Sequence, residues 1–489
     1  MKTTWGISAN SHDAALAVFK GNDITFASHS ERFSSIKNDL HLNNELINYA
    51  LDFGEPDEII WYEKPFRKTL RQLYAGQGWN YNENNIKRYL NSFGITAPIS
   101  YSSHHHSHAA AGYYTSSFSD ATVLCIDSIG EFETLSIWQA EGNSLKRVYS
   151  QRYPHSVGLW YSAMTQRVGL KPNEDEYILM GMAAYGDPDR LFLEILNDFV
   201  ETEGMGYNPS VKFKHALHCG CKWWRPDLTS EQDMYDIAAA TQYVYEYILL
   251  NLVAWCQKNL PSKNLVLAGG CALNCSANSR LFKFYNDVWI MPNPGDAGSA
   301  VGAVLANRGQ HIEWRHPYLG YNINRKYPVE SLLKELSTTG IAGVANGMAE
   351  YGPRALGNRS LLADPRGHDI KDRVNEIKRR QKFRPFAPAI LAECASDYFE
   401  GPVGPYMQYT ARCKYPNLYP AIVHADGTSR VQTVTHYDNP GFYNLLKNWH
   451  KLTGCPMLLN TSLNIKGMPI VNTLKDAEDF TKCYNVKVY

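Results

Sequence analysis

The most informative stretch of the chain covers residues 104–113 and reads His104-His105-His106-Ser107-His108-Ala109-Ala110-Ala111-Gly112-Tyr113. The alanines favour a helix, and Ser102 or Ser103 could cap its start. Because His104 and His108 are four residues apart, a helix would place both imidazoles on one face, where they could bind one cation. A polar loop or a surface cluster explains the same residues, so the spacing alone leaves both interpretations open.

Two carboxylates could complete such a site. The apolar run from Ala121 to Ile126 predicts a buried strand, and Asp127 stands at its end, where α/β sheets usually place functional groups. Asp296 lies between two glycines at another predicted strand-to-helix corner, as a fourth ligand or as a helix cap. Two imidazoles with carboxylate oxygens suit Fe(II), Zn or Mn.

The composition limits the class of protein. With 489 residues, of which 44% are hydrophobic, the chain is long enough for two or three domains. Lys plus Arg and Asp plus Glu both number 48, so the overall basic charge typical of nucleic-acid-binding proteins is absent. The ten cysteines form no disulfide framework, and no apolar leader or membrane-length run is present, which predicts a cytoplasmic protein.

The N-terminus predicts two strands around a polar turn, Asn10-Ser11-His12-Asp13. Actin-like and sugar-kinase-like ATPase folds present such a loop to phosphates, which would place His12 and Asp13 at its tip. Ordinary turn chemistry explains these residues equally well.

A glycine pair, Gly269-Gly270, follows another buried strand, and a helix is predicted to begin within the next four residues, which end at Asn274. Exposed backbone N–H groups and the helix dipole at this corner could hold a phosphate, so Gly269, Gly270 and Asn274 are candidate nucleotide-binding residues. The motif is neither a Walker A nor a GxGxxG pattern, so it indicates a nucleotide only weakly.

Prolines and a glycine between residues 316 and 328 mark a domain boundary and leave enough chain for one further domain. That part of the chain carries several cations, hydroxyls and amides beside glycine or proline turns. Arg384, for example, lies in the stiff run Phe383-Arg384-Pro385-Phe386-Ala387-Pro388. Together such groups would form a phosphate-and-acyl pocket, although any single arginine is more often a surface ion pair.

A second group of metal-binding residue types consists of His215, His218, Cys219 and Cys221. The spacing of the two cysteines is tighter than in structural zinc sites, and no second pair follows, so a loop is the favoured interpretation.

The order and content of these motifs resemble the O-carbamoyltransferase family that includes the nodulation, cephamycin-type and tobramycin carbamoyltransferases. The resemblance covers nearly the whole chain. The motifs that carry it are Ser11-His12-Asp13, Glu31-Arg32-Phe33, His104 to His108, Asp127, Gly269-Gly270 to Asn274, Gly295-Asp296-Ala297-Gly298, Arg354-Ala355-Leu356-Gly357-Asn358-Arg359-Ser360, Phe383 to Pro388 and Asn460-Thr461-Ser462.

The resemblance implies an α/β protein of two domains. Residues 1–322 would form an actin-like ATPase (ASKHA, Kae1-like) domain of two similar halves, which transfers the carbamoyl group. Residues 323–489 would form a YrdC-like α/β domain, which makes carbamoyl-adenylate from carbamoyl phosphate and ATP with Mg.

The resemblance also implies roles for individual residues. The metal ligands would be His104, His108, Asp127 and Asp296, with Fe(II) favoured over Zn or Mn. The acceptor and transfer site would include His12, Asp13 and Lys37, with His12 as the base because its reference pKa near 6.5 suits that task. The carbamoyl phosphate and adenylate pocket would consist of Arg354, Arg359, Lys378, Arg384, Arg430, Asn460 and Ser462.

The chain departs from the family pattern at Asp175-Glu176-Tyr177-Ile178, where the family often has Gly-Glu-Tyr-Lys, so a lysine is missing there. The chain is also short for the family. The implied acceptor is a hydroxyl of a sugar, a natural product or a hydroxymethyl-pyrimidine nucleotide; DNA or RNA is less favoured, no membrane is involved, and a homodimer is compatible. Two alternatives stay open: threonylcarbamoyl-type modification of tRNA adenosine, and a non-catalytic actin-like nucleotide-binding protein.

Overall fold

The computed structural model describes residues 1–489, which form two compact units. Unit 1 comprises residues 1–25 and 40–314, and unit 2 comprises residues 26–39 and 315–489. The expected boundary between residues 322 and 323 falls within a strand of unit 2, Tyr318–Ile323. The short segment 26–39, which carries Lys37, belongs to unit 2 and not to the N-terminal unit.

The first sheet has the strand order β3-β2-β1-β4-β5. Strand β1 pairs antiparallel with β2 and parallel with β4, which pairs parallel with β5. All six residues of β1 are buried, as expected for the central strand of a sheet covered on both faces. The strands are β1 (Thr3–Ser8), β2 (Ala15–Lys20), β3 (Asp23–His29), β4 (Glu58–Trp61) and β5 (Ile99–Tyr101).

The second sheet repeats this arrangement with the order β12-β11-β6-β7-β8. Strand β6 pairs antiparallel with β7 and parallel with β11, which pairs parallel with β12. The repeated strand order confirms the prediction of two similar halves. The strands are β6 (Asp120–Gly130), β7 (Glu133–Glu141), β8 (Ser144–Arg152), β11 (Asn264–Ala268) and β12 (Asp287–Trp289), and a separate ribbon pairs β9 (Val200–Glu201) with β10 (Lys212–Phe213).

The longest helix, α9, begins at Glu231 and ends at Asn259, as its apolar stripe predicts. Ser230 and Asp233 form a capping box at its start, which satisfies two of the free backbone N–H groups there. None of the helices combines the length and the apolar character needed to cross a membrane. The other helices of unit 1 are α2 (Asn44–Leu51), α3 (Pro65–Tyr74), α4 (Ile86–Asn91), α5 (His104–Tyr114), α6 (Val157–Arg167), α7 (Glu176–Met182), α8 (Phe192–Phe199), α10 (Cys275–Asn278) and α11 (Ser299–Arg308).

Helix α5 carries the histidine-rich stretch, and all but one of its eleven residues are buried. The predicted serine cap is wrong: Ser103 occupies the N-cap position, but its side chain makes no capping bond. Glu131 takes this role, because its Oε1 accepts from the backbone N–H of His104 at 3.4 Å. The helix packs tightly on α11, where a Cβ added at Gly302 would collide with the carbonyl oxygen of Ser107.

Unit 2 contains a five-stranded sheet of order β14-β16-β22-β17-β21. Its core consists of aliphatic side chains from β16, β17 and β22, including Leu361, Ile390 and Leu459. The strands of unit 2 are β13 (Tyr318–Ile323), β14 (Ile341–Ala345), β15 (Gly347–Glu350), β16 (Arg359–Ala363), β17 (Ala387–Leu391), β18 (Phe399–Glu400), β19 (Ala411–Cys413), β20 (Thr428–Ser429), β21 (Gln432–Val434) and β22 (Met457–Ser462); its helices are α1 (Glu31–Ser34), α12 (Val329–Thr339), α13 (Ile370–Ile377), α14 (Ala395–Tyr398), α15 (Pro440–Thr453) and α16 (Leu474–Tyr484).

Replacement of Gly302 by alanine should destabilise unit 1, because the new methyl group meets the backbone of α5 rather than a movable side chain. We expect Gly302→Ala to lower the free energy of unfolding by about 1–3 kcal/mol in denaturant titrations. Gly181→Ala is the matched control, since this helical glycine has open space around it. Equal stability of the two variants would contradict the packing described for α5 and α11.

Candidate metal centre and active site

Four side chains from three separate elements of unit 1 converge on one point. His104 and His108 come from the first turns of α5, Asp127 from β6, and Asp296 from the turn before α11. One ligand atom from each side chain lies within 4.8 Å of all the others. The structure therefore brings together the four residues that the sequence analysis assigned to a metal site.

The spacing of these atoms suits a single cation. Nε2 of His104 lies 3.1 Å from Nε2 of His108, 3.1 Å from Oδ2 of Asp127 and 3.4 Å from Oδ1 of Asp296. Nε2 of His108 lies 3.3 Å from Oδ1 of Asp296 and 3.8 Å from Oδ2 of Asp127. Tetrahedral ligands with bonds of about 2.0–2.2 Å are separated by about 3.3–3.6 Å. A ring N–H can donate to one of these neighbours, whereas a cation would satisfy all four ligands at once.

Charge favours a cation at this point as well. Burial lowers the pKa of His104, but the carboxylates of Asp296 and Asp127 raise it well above its ordinary value. Burial raises the pKa of Asp296, but His104 and His108 lower it well below its ordinary value. Both carboxylates are thus ionised and attract positive charge into a buried site.

Neighbouring groups fix the orientation of the ligands. The backbone N–H of Gly270 donates to Oδ1 of Asp127 at 3.2 Å, which leaves Oδ2 to face the histidines. Ser299 Oγ lies 3.3 Å from Nδ1 of His108, so Nε2 is the nitrogen available to a cation. A Cβ at Gly130 would collide with the ring of His104, so only glycine fits beside that ligand.

The glycine pair has a structural role that the sequence did not reveal. Gly269 has φ +86, and a Cβ there would collide with the carbonyl oxygen of Ile126, while Gly270 orients Asp127. The side chain of Asn274 exchanges two hydrogen bonds with the amide of Gln242, of 2.9 and 3.0 Å. It also caps α10 by accepting from the N–H of Ala277 at 3.1 Å. Nucleotide binding by this corner stays a prediction.

His12 and Asp13 lie together in unit 1 as an ion pair. Nδ1 of His12 donates to Oδ2 of Asp13 at 3.0 Å, and Nε2 donates to the carbonyl oxygen of Asn173 at 3.0 Å. Burial lowers the pKa of His12, but Asp13, with help from Asp296 and the Asn173 carbonyl, raises it to about 9. The pKa of His12 is therefore higher than the reference value near 6.5, and His12 is an imidazolium at neutral pH.

Lys37 lies in unit 2, where its Nζ donates to Oε2 of Glu31 at 2.8 Å. Burial raises the pKa of Glu31, but Lys37 and then Arg32 and His29 lower it to about 2. Nη2 of Arg32 donates to the carbonyl oxygen of Gly352 at 3.0 Å, which connects the segment 26–39 to the rest of unit 2. A catalytic role for Lys37 stays a prediction.

Arg359 is fully buried and bound to main-chain oxygen. Its guanidinium donates at 2.8–3.2 Å to the carbonyls of Tyr321, Asn346, Gly347, Asn358 and Asn472. These bonds hold four segments of unit 2 together. Arg359 therefore positions the turns around it, and its contact with a phosphate stays a prediction.

Lys378 and Ser462 meet as the sequence analysis expected. Nζ of Lys378 donates to the hydroxyl of Ser462 at 3.1 Å, to Oδ1 and the carbonyl of Asn464 at 2.8 and 2.9 Å, and to the Ser462 carbonyl. Burial, followed by the charges of Arg380 and Arg384, lowers the pKa of Lys378 well below its ordinary value. Nζ of Lys378 at the end of β22 thus lies within the electrostatic influence of two arginines, and an anion bound there would favour its charged form.

Asn460 lies two residues before Ser462 on β22, so both side chains point to the same face of the sheet. Its Nδ2 donates to Gln432 Oε1 at 2.7 Å and to the carbonyl of Ala355 at 3.1 Å, and its buried Oδ1 has no hydrogen-bond partner. The buried Nε of Arg430 is likewise without a partner. Arg354 is half-buried in the turn that precedes β16.

Sequence reasoning missed two buried acids. Glu131 caps α5 and also accepts from the N–H of Lys64 at 2.8 Å, so one carboxylate joins the starts of α3 and α5. Glu350 accepts from the N–H groups of Leu356, Asn358 and Arg359 at 2.7–3.3 Å and thereby shapes the turn before β16. No sequence motif marks either acid. Both bind backbone N–H groups, which every residue except proline provides, so the partners cannot be recognised from the sequence.

The other group of histidines and cysteines does not assemble into a site, as the favoured loop interpretation predicted. Nε2 of His218 is bonded to the amide of Gln77, and the thiol of Cys221 is buried against the carbonyl of Ala163. The ring of His215 packs on Trp223 with centroids 4.9 Å apart. The structure contains a single cluster of metal-binding groups, the one around His104.

Loss of the Asp13 carboxylate should lower the pKa of His12. We expect Asp13→Asn to move the titration midpoint of the His12 ring from about 9 downwards by about one to three units, because the imidazolium loses its paired charge. NMR of ¹³C-histidine-labelled protein measures this midpoint, with His12→Asn identifying the resonance. An unchanged midpoint in Asp13→Asn would contradict the described ion pair.

Comparison with known proteins agrees with this geometry. A family model described as the carbamoyltransferase N-terminus matches residues 3–305, and one described as the carbamoyltransferase C-terminus matches residues 333–489. An uncharacterized protein of Synechocystis sp. is 35% identical over 96% of this chain and 93% of its own length. The nodulation protein NolO of Bradyrhizobium diazoefficiens is 34% identical over 76% and 75% of the two chains. A 3′-hydroxymethylcephem-O-carbamoyltransferase of Amycolatopsis lactamdurans is 26% identical over 95% and 94%. The family models cover both units, and the chain belongs to the carbamoyltransferase family.

Proposed function

We propose that this chain is an ATP-dependent O-carbamoyltransferase in which the two units perform successive steps. Unit 2, in the YrdC-like role, forms carbamoyl-adenylate, and unit 1 transfers the carbamoyl group to a hydroxyl. The observation that carries the proposal is the convergence of His104, His108, Asp127 and Asp296 in a member of this family.

The first step needs a cation-rich pocket. Carbamoyl phosphate and water give carbamate and phosphate; a carbamate oxygen then attacks the α-phosphorus of ATP, and pyrophosphate leaves. Charge builds up on phosphate oxygens throughout, so positioned cations lower the barrier. Arg380 and Arg384 supply two such groups, and Nζ of Lys378 lies beside the hydroxyl of Ser462. Arg354, Arg430 and Asn460 are the further candidates, and Mg accompanies the ATP.

The transfer step would take place beside the four ligands of unit 1. Their nitrogen and oxygen donors fit Fe(II), Zn or Mn. A cation held there would act as a Lewis acid on the adenylate. Asp127 and Asp296 hold that position ready, because Gly270 and the adjacent turn fix their carboxylates before a substrate arrives.

His12 is the candidate group for moving the proton of the acceptor hydroxyl. It must lose a proton before it can accept one, and Asp13 keeps it protonated up to a pH of about 9. Its Nε2 must also release the carbonyl of Asn173. We therefore expect transfer to be favoured at alkaline pH, where the neutral imidazole is populated.

The acceptor class follows from the family and not from the geometry. The cephem-modifying relative acts, by its name, on a hydroxymethyl group, which supports a small-molecule hydroxyl as acceptor here. The balanced charge of the chain, 48 basic and 48 acidic residues, weighs against a nucleic acid. The match of both units to carbamoyltransferase models weighs against threonylcarbamoyl transfer to tRNA.

Glu131 should control cation affinity, because its carboxylate caps the helix that carries His104 and His108. We expect Glu131→Ala to weaken binding of Zn or Co(II) by about 10-fold or more, as measured by calorimetry on the metal-free protein. Glu131→Gln retains the accepting Oε1 and should restore most of the affinity. Equal affinity in Glu131→Ala and the unaltered protein would contradict this positioning role.

Different mutations should abolish adenylate formation and carbamoyl transfer independently. Incubation with ATP and carbamoyl phosphate should release pyrophosphate from the unaltered protein and from His108→Ala, whereas Arg384→Ala should reduce this release by about 100-fold or more. Arg373→Ala is the matched control, since this arginine of α13 pairs with Asp369 and donates to the carbonyl oxygen of Thr339 at 2.7 Å. Loss of pyrophosphate release in His108→Ala would contradict the proposal that unit 2 forms the adenylate and unit 1 transfers the carbamoyl group.

The same incubations identify the acceptor. Mass spectrometry of a host pool of small molecules and nucleosides should reveal a carbamoyl mass gain with the unaltered protein and none with His108→Ala. Pyrophosphate release that requires threonine and bicarbonate in place of carbamoyl phosphate would instead favour the tRNA-modifying alternative.

A further inference from the structure

Helix α3 is oriented with its polar side inwards. Of its residues, Lys68, Thr69 and Arg71 are 4%, 0% and 8% exposed, whereas Phe66 and Tyr74 are 58% and 68% exposed. Leu70 and Leu73 belong to the same outward face, because positions 66, 70, 73 and 74 follow the helical repeat. A surface helix normally buries such a stripe, so this orientation needs a cause.

The inward face is held by one buried carboxylate, that of Glu63, and by two backbone carbonyl groups. Nζ of Lys68 donates to Oε1 of Glu63 at 2.7 Å and to the carbonyl of Asn10 at 2.6 Å. Nε of Arg71 donates to the carbonyl of Glu131 at 3.1 Å. Since this carboxylate and these carbonyls would be unpaired if α3 rotated, its apolar stripe is kept at the surface.

The loop that follows α3 adds two exposed aromatic rings. Trp79 and Tyr81 are 55% and 52% exposed and stack on each other, with centroids 6.2 Å apart and planes at 14°. With the four stripe residues they expose roughly 600 Å² of mostly apolar surface, taking about 150–250 Å² for each whole aromatic side chain. Exposed apolar surface of this extent, on one helix and the loop that follows it, usually marks a binding surface.

We propose that this surface, the α3 face (Phe66, Leu70, Leu73, Tyr74, Trp79 and Tyr81), pairs with the same face of a second copy of this chain. Two such faces would bury roughly 1,200 Å², the lower limit of a specific interface. A two-fold axis near Leu70, midway along the stripe, would set the two α3 helices antiparallel.

The charges of α3 fit such a pairing better than a lipid surface. The helix and its N-cap carry four cations and no acid, but Lys68 and Arg71 face inwards, and Arg67, whose side chain is 57% exposed, pairs with Oε2 of Glu131 at 3.7 Å. In the antiparallel arrangement Arg67 of each copy approaches the C-terminal end of the other helix, where a cation is favoured. A membrane-binding helix would instead display its cations beside the apolar face.

Sedimentation velocity over a range of protein concentrations tests the proposal. We expect the unaltered chain to dimerise, and Phe66→Glu combined with Leu73→Glu to weaken dimerisation by about 100-fold. Both positions are exposed, so the melting temperature should be preserved. Leu193→Glu is the matched control, because this leucine is 65% exposed on α8 and should leave the dimer intact.

Cross-linking tests the geometry itself. With the exposed Cys219 and Cys483 replaced by serine, Leu70→Cys should join to its own copy through a short bismaleimide, because the axis passes near residue 70. Leu193→Cys should not. A chain that sediments as a monomer at 100 times the concentration used in activity assays would overturn the proposal. So would a monomer whose α3-face variants lose transfer but retain pyrophosphate release, since that result would assign the face to the acceptor.

Discussion

Two buried carboxylates that approach the same point constrain the packing of the rest of unit 1. Asp127 and Asp296 repel each other, and burial makes their charges expensive unless positive charge lies between them. His104 provides that compensation as imidazolium, or His104 and His108 provide ligands when a cation takes its place. The arrangement is stable only while all four groups remain close, so the scaffold must hold two sheets and two helices in fixed register.

That register depends on contacts between backbones. Where α11 crosses α5, Gly302 lets the helices approach at the carbonyl of Ser107, and β1 approaches α11 equally closely at Gly6. Gly269 and Gly270 do the same for Asp127. Backbone contact leaves no flexible side chain to absorb a shift, and therefore the ligand atoms stay within 4.8 Å of one another. The glycines thus act on the site through geometry, although none of them provides a ligand.

The sequence predicted what depends on local spacing and missed what depends on distant partners. Four-residue spacing paired His104 with His108, and strand-end placement added Asp127, because both follow from regular secondary structure. Gly270 was assigned to a phosphate, since an exposed N–H looks the same in sequence whether its acceptor is a phosphate or a carboxylate. Arg359 and Lys378 both seemed to be pocket cations, but the partners of Arg359 are carbonyls as far as 113 residues away. The sequence likewise does not indicate that residues 26–39 belong to unit 2, because their partners there are distant in the chain.

Helix α3 illustrates a limit of pattern analysis that has an energetic origin. Its sequence is amphipathic, yet periodicity cannot tell which face turns inwards. Burying a large apolar side chain contributes about 1.5–3 kcal/mol, which would normally decide the question. Here the inward position is contested by Glu63, whose buried charge would be left unpaired at a cost of about 3–5 kcal/mol, and by the backbone carbonyl of Glu131, which would lose its hydrogen bond from Arg71. The groups that hold α3 therefore also place an apolar surface in water, and a second copy of the chain would recover the burial that this orientation gives up.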